Sequence, residues 1–291
     1  MKPLVKSFFD ENTYTLTYVV SDPKSKDTVV IDSVLDYDPV GSKIDTFSYE
    51  QVRDYIRNEG LNLKLVMETH AHADHISGAP LFKKDFPHVK VAIGEKINLV
   101  QETFHAVYNL DESIPVDGSQ FDLLLKDEEE LMAGTLPIKV LATPGHTPAC
   151  SSYLIGDAVF TGDALFMPDY GTGRCDFPKG DADALYESIT KKLYTLPDET
   201  RVFVGHDYLP GGRDLAYESS VGEEKESNIQ LKGDTERQDF VSFRKARDAG
   251  LKAPKLIYQS IQANIDGGHL PSKEENGRRY FKLPINESQK G

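Results

Sequence analysis

The chain is 291 residues long, 39% hydrophobic and 27% charged, with a formal net charge of −14. That length can bury a full core as one large domain or two small ones, and the acidic excess excludes nucleic acid or an anionic membrane surface as the main partner. It leaves room for a small anionic substrate, because a few local cations outweigh a distant field.

The opening stretch MKPLVKSFFDENTY has no long apolar run and is not arginine-rich, so neither a secretory signal nor a transit peptide is expected. No segment approaches the length that spans a bilayer. Two cysteines, Cys150 and Cys175, give no disulfide framework and point to a reducing cytoplasm.

In chain order, Tyr14 to Val20 and Thr28 to Ile31 are β-rich runs separated by the turn signal Ser21-Asp22-Pro23. Ser48 to Asn58 reads as a helix, with Val52, Tyr55 and Ile56 at helical spacing and Gly60 as its stop. Leu63 to Met67 is a buried strand, and Val89 to Ile93 is another candidate. The segment 109–134 looks irregular, and its acid run Asp127-Glu128-Glu129-Glu130 reads as solvated surface. Strands follow at Ile138 to Ala142, Ser152 to Ile155 and Ala158 to Phe160. A helix is expected at Asp183 to Leu193 and a last short strand at Arg201 to Val204. Past residue 213, the spacings of Phe240, Phe243 and Ala246 and of Ile257, Ile261 and Ile265 predict two helices packing back on the body. The expected organisation is therefore a catalytic unit over 1–213 and an extension over 214–291 on the same domain.

Of eight histidines, three fall with an aspartate in the six positions from His70 to His75, in THAHADH. The apolar run before them and Gly78 and Pro80 after them put His70, His72, Asp74 and His75 on a turn at a strand end. Side chains two apart in extended backbone share a face, so His70 and His72 can converge. Three further polar residues sit in matching contexts: His146 in TPGHTPA, Asp163 in FTGDALF and His206 in VFVGHDY, each beside a glycine after an apolar run. Singly, each is more often structural, and Asp163 could simply cap a helix starting at Ala164. Together, five imidazoles and two carboxylates at strand ends make a set that zinc or iron accepts. His88, His105 and His269 lack such contexts and read as structural.

With HxHxDH followed by a PGHT-type histidine, a TGD-type aspartate and a GHD-type histidine, the chain resembles the metallo-β-lactamase superfamily over residues 13 to about 210. The resemblance implies an α/β (α+β) αββα sandwich, here with a C-terminal helical extension, and metals at one end of the sheets. Within the superfamily, Gly173-Arg174 with Asp176-Phe177, the helix and turn over Leu185 to Pro197, and His206 to Tyr208 resemble the persulfide dioxygenases near glyoxalase II. The chain departs by a longer stretch between Asp163 and Arg174 containing Pro168-Asp169-Tyr170, by insertions around 109–134 and by the extension. These suggest the bacterial group of β-lactamase-hydrolase-like proteins.

Two chemistries fit. As a persulfide dioxygenase, the resemblance implies one Fe(II) held by His70, His146 and Asp163, with His72, Asp74, His75 and His206 around it. Glutathione persulfide and O2 would be the substrates. As a dinuclear zinc hydrolase of glutathione thioesters or lactones, His70, His72 and His146 would hold one ion, Asp74, His75 and His206 a second, and Asp163 would bridge. Arg174 is a candidate for a glutathione carboxylate, weighed equally against a salt bridge to Asp176. Tyr208 is a candidate substrate contact. Cys175 reads first as a packed thiol, with a redox or persulfide-carrying role as the alternative. No Gly-rich phosphate loop or Gly-x-Ser-x-Gly elbow is present, nucleic-acid and membrane partners are not expected, and a homo-oligomer is left open.

Overall fold

The computed structural model describes residues 1–112 and 114–285. The chain opens with β1 (Leu4–Asp10), β2 (Thr15–Ser21) and β3 (Asp27–Ile31), then the short strands β4 (Val34–Leu35), β5 (Tyr37–Asp38) and β6 (Lys43–Ile44). Helix α1 (Phe47–Asn58) leads to β7 (Asn62–Met67) and β8 (Ile76–Ser77), followed by α2 (Ala79–Asp85), β9 (Lys90–Gly94), α3 (Ile97–Tyr108) and β10 (Leu123–Leu125). The second half supplies β11 (Glu130–Ala133), β12 (Leu136–Ala142), β13 (Ser151–Ile155), β14 (Ala158–Phe160), α4 (Ala182–Lys191), β15 (Arg201–Phe203) and β16 (Glu218–Ser220). Helices α5 (Val221–Ser227), α6 (Arg237–Asp248) and α7 (Ile257–Asn264) close the chain.

Two six-stranded sheets result, one in the order β1-β2-β3-β7-β9-β10 and one in the order β11-β12-β13-β14-β15-β16. Both are mixed: β3–β7–β9–β10 run parallel beside an antiparallel β1–β2–β3, and β14–β15 is the parallel pair of the second sheet. The period-two alternation of a strand sorts side chains between two cores. In β2, Leu16, Tyr18 and Val20 face the core between the sheets, where they meet Ile138, Val140, Tyr153 and Phe203. Val19 on the same strand joins Val30 and Val66 in the other core, against Val52, Ile56, Phe82 and Phe104 from α1, α2 and α3. The Tyr18 hydroxyl, buried between the sheets, donates to the Val204 carbonyl at 2.7 Å, satisfying the one polar atom that this ring brings into the core. On the outer side of the second sheet, α4 buries Leu185 and Ile189, and α6 packs on α4. This is the αββα arrangement.

The extension lies on both outer layers, α6 on α4 and α7 on α3 and β8; its residues 286–291 are outside those described. Expected strands and helices recur within a residue or two, but the short strands β4, β5, β6, β8 and β16 and the helices α2 and α5 were not expected, and four further differences stand out. β1 was not expected, although Leu4–Asp10 pairs with all of β2; its pattern is half-exposed throughout, so it carries no clean alternation. Helix α3 follows β9 so closely, after only Glu95 and Lys96, that the apolar run reads as one stretch. The segment 109–134 contains β10 and β11, and its acid run is not merely solvated: Asp127 binds Lys192 Nζ at 2.6 Å and accepts from the Ala142 amide at 2.8 Å. The helix expected at Asp183 to Leu193 ends at Lys191 and gives way to a 3-10 turn over Leu193–Thr195.

Candidate metal centre

Every one of the seven candidate residues lies just beyond a strand end. His70, His72, Asp74 and His75 follow β7, His146 follows β12, Asp163 follows β14 and His206 follows β15. Thr15, the first residue of β2, bridges to His206 and joins the seven. The parallel course of β3, β7 and β9, and of β14 and β15, brings these C-terminal ends to one edge of the sandwich. Two glycines allow the close approach. Gly162 has φ +50°, and a Cβ there would stand 2.4 Å from Thr69 Oγ1; at Gly173 a Cβ would stand 1.8 Å from the Asp163 carbonyl oxygen. The helix beginning at Ala164, which Asp163 would have capped, is absent: the chain turns at Gly162 and Asp163, bends at Ala164 and makes an isolated bridge from Leu165 to Thr172.

Among the seven, two groups of ligand atoms meet. His70, His146 and Asp163 each offer one atom within 4.8 Å of the others, and so do His72, Asp74 and His75, while Asp32 and Glu68 form a third such group with His72. The hydrolase expectation placed His72 with His70 and His146; its ring stands 4.1 Å from that of His70 and 4.1 Å from that of His75, between the two groups. Its Nε2 contacts two buried acids, Asp32 Oδ1 at 3.0 Å and Glu68 Oε2 at 3.3 Å, which leaves Nδ1 as the unpartnered ring nitrogen. His206 belongs to neither group; its Nε2 lies between Asp74 Oδ2 at 3.4 Å and Asp163 Oδ1 at 3.3 Å.

Hydrogen bonds on the far side of each ring fix its orientation. His146 Nδ1 meets the Arg174 carbonyl at 2.7 Å, His206 Nδ1 the Tyr14 carbonyl at 3.2 Å and His70 Nδ1 the Thr69 hydroxyl at 3.0 Å. A carbonyl can only accept, so His146 and His206 carry a proton on Nδ1, which leaves Nε2 as the ring nitrogen turned to the centre. Meanwhile His70 Nε2, His72 Nδ1, His75 Nε2 and Asp163 Oδ1 are buried with no hydrogen-bond partner. Unpaired buried polar atoms are costly and rare, and four converging at one edge of the sheets are a donor set that suits a metal ion.

The electrostatics agree for His70 and Asp74, whereas the carboxylates around His72 and His206 favour their protonated forms. Burial, with the neighbouring His72 and His146, holds His70 well below the usual imidazole range, so it is neutral as a ligand must be. Burial also opposes charge on His72 and His206, but Asp32 and Glu68 raise the first and Asp163 and Asp74 the second. Asp74 is held well below the usual carboxylate range: burial works against this, and His206 and His75 outweigh it.

A cavity of about 410 Å³ opens over the site, and His146, Asp163 and Asp74 form part of its wall. Aromatic rings also line it: Tyr14, Tyr37, Phe166, Tyr170, Phe177 and Tyr208. Tyr208 stacks on the His206 ring at 5.4 Å and meets Tyr170 at 4.9 Å. Arg174 lines the cavity, but its fork is engaged: Nε and Nη2 donate to Asp176 at 2.6 and 2.5 Å, and Nη1 to the Lys252 carbonyl at 2.8 Å. Of the two readings of Arg174, the salt bridge is present. Cations that the sequence did not single out also line the cavity, namely Arg247 and Lys255 from the extension. Asp32 and Glu68 were missed too. Nothing in their spacing marks them, since their role comes only from folding beside His72. Burial pushes the Cys175 thiol up, against a thiolate, and Cys150 is buried with its thiol pushed up to about 12.

The family description "Metallo-beta-lactamase superfamily" matches residues 11–206. The chain is 43% identical to "Glyoxylase B2" of Dictyostelium discoideum over 98% of each chain. It is 44% identical to a "Beta-lactamase hydrolase-like protein" of Agrobacterium fabrum over 97% of this chain, which spans only 65% of that relative's length. To human "Persulfide dioxygenase ETHE1, mitochondrial" it is 30% identical over 91% of this chain and 89% of that one. The crystal structure of ETHE1 from Myxococcus xanthus superposes with a TM-score of 0.72 at 33% identity, covering 91% of this chain and all of the other.

Proposed function

The chain belongs to the metallo-β-lactamase superfamily, a superfamily of metal-dependent enzymes, and from that premise we propose that it is an Fe(II)-dependent persulfide dioxygenase, oxidising glutathione persulfide to sulfite and glutathione. One persulfide, one O2 and one water give one glutathione, one sulfite and two protons. The observation that carries this reading is the grouping of His70, His146 and Asp163, of which His146 and Asp163 open directly on the cavity. Two imidazoles and one carboxylate are the donor set of non-haem iron oxygenases. Iron held by these three would supply open positions for the persulfide sulfur and O2.

The surrounding residues bind and orient. The aromatic wall excludes water from the reacting sulfur, and Tyr208, resting on His206, offers a hydroxyl beside it. Arg247 and Lys255 line the cavity and suit the carboxylates of the tripeptide. Arg174 acts through its carbonyl, which holds the His146 tautomer, and through its side chain, which fixes Asp176 and the extension at the cavity wall. His72, His75, Asp74 and His206 then orient the three ligands.

A second reading is favoured by the other group, His72, Asp74 and His75, and by relatives named as a glyoxylase and as hydrolase-like. It is a dinuclear zinc hydrolase of glutathione thioesters or lactones. Oxygen uptake by anaerobically iron-loaded protein given glutathione persulfide, with metal counted on the same sample, decides between them. Rapid uptake, sulfite formation and about one iron per chain are expected. No uptake, two metals and hydrolysis of S-lactoylglutathione would establish the hydrolase instead.

A further inference from the structure

We infer that Asn264, at the end of α7 in the C-terminal extension, is the positioning residue that clamps the His70–His75 ligand loop. The residue is buried, and its carboxamide is saturated by backbone atoms of that loop. Nδ2 donates to the His72 carbonyl at 2.8 Å and to the His75 carbonyl at 2.7 Å, while Oδ1 accepts from the Ser77 amide at 2.8 Å. Two carbonyls on one side and one amide on the other admit only this orientation of the group.

These contacts bracket Asp74. By tying the carbonyls of His72 and His75 to one nitrogen, Asn264 sets the turn that aims His72, Asp74 and His75 at a common point. The helix is itself pinned there. Gln101 on α3 donates from Nε2 to the Ile265 carbonyl at 2.8 Å, and Gly268, at φ +84°, lets the chain pass so close that a Cβ would stand 3.0 Å from the Ser77 carbonyl. The loop and the clamp are 187 to 192 residues apart in sequence. The inference holds under either metal chemistry, since it concerns the geometry of the ligands and not the reaction.

The test uses the full chain carrying Asn264→Ala, Asn264→Asp and, as a control on the same helix, Ile257→Ala. Co(II) is the probe, read by its visible absorption and by titration, together with hydrogen exchange of the 70–78 segment. Asn264→Ala should weaken Co(II) binding by about 10- to 100-fold, alter the Co(II) spectrum and speed exchange in the loop. Asn264→Asp should be worse, because it turns a carboxylate towards two carbonyls. Ile257→Ala, losing only packing, should leave Co(II) affinity within about threefold of the parent. Affinity and spectrum unchanged in a folded Asn264→Ala variant would overturn the inference, as would an equal loss in Ile257→Ala. Should Asn264→Ala fail to fold, Asn264→Ser, which keeps one donor, replaces it, with an intermediate loss expected.

Discussion

Single residues at this site are defined by what holds them. His146 is identical in chemistry to His105, yet His105 Nε2 meets the Asp111 carbonyl on the surface at 3.1 Å, whereas His146 presents Nε2 within 3.5 Å of buried Asp163. Both proposed chemistries place Asp163 at the centre, where it lies within 4.8 Å of the His70 and His146 ligand atoms and 3.3 Å from His206 Nε2. Asp163→Ala should abolish turnover under either mechanism and lower bound metal, as measured by metal analysis after gel filtration. Retained activity would remove Asp163 from the centre.

Among elements, α6 separates stability from recognition along one helix. Arg244 is fully buried, donating to Asp248 at 2.6 Å, to the Thr172 carbonyl at 3.0 Å and to Gln230 at 2.8 Å, so it anchors the loop that carries Thr172 and Arg174 to the cavity. Arg244→Met should destabilise the fold by about 3 kcal/mol in urea unfolding, because buried Asp248 loses its bidentate partner and keeps only the Cys175 amide at 2.7 Å and Arg247 at 3.8 Å. Arg247, one turn on and lining the cavity, should behave oppositely. Arg247→Met is expected to raise KM for an anionic substrate with little change in the unfolding midpoint. On α5, burial pushes the Glu224 carboxyl up to about 7 from a usual 4.5, although Ser219 and Asn228 hydrogen-bond to it. A raised folded value means the native state holds the proton more tightly, so this stabilisation is complete below pH 4.5 and is lost as pH rises through 7. Glu224→Gln should flatten the fall in stability across that window, where the parent loses up to about 1.4 kcal/mol per pH unit from this group. Parallel slopes for parent and variant would refute it.

For the whole molecule, the four unpaired buried atoms at the centre couple metal binding to stability. An ion at about 100 times its Kd adds about 2.7 kcal/mol to the folded state, which for a chain this long raises Tm by roughly 4 °C. Calorimetry with and without chelator checks this, and an unchanged Tm would mean the ion binds folded and unfolded chains alike. No helix among the described residues is long and apolar enough to cross a membrane.

The sequence by itself determined the mixed α/β class, most strands of both sheets and the gathering of His70, His72, Asp74, His75, His146, Asp163 and His206 at strand ends. These are local properties: period-two burial, glycine beside a polar residue, and the spacing of the HxHxDH run. Only the tertiary structure decided that Asp32 and Glu68, residues that carry no motif, hold the Nε2 of His72. It likewise decided that Arg174 closes on Asp176, and that the extension supplies Arg247, Lys255 and Asn264 to the site. The physical reason is distance along the chain. A hydrogen bond between residues 192 positions apart leaves no periodicity in either segment, and it exists only once both outer layers have packed against the sheets.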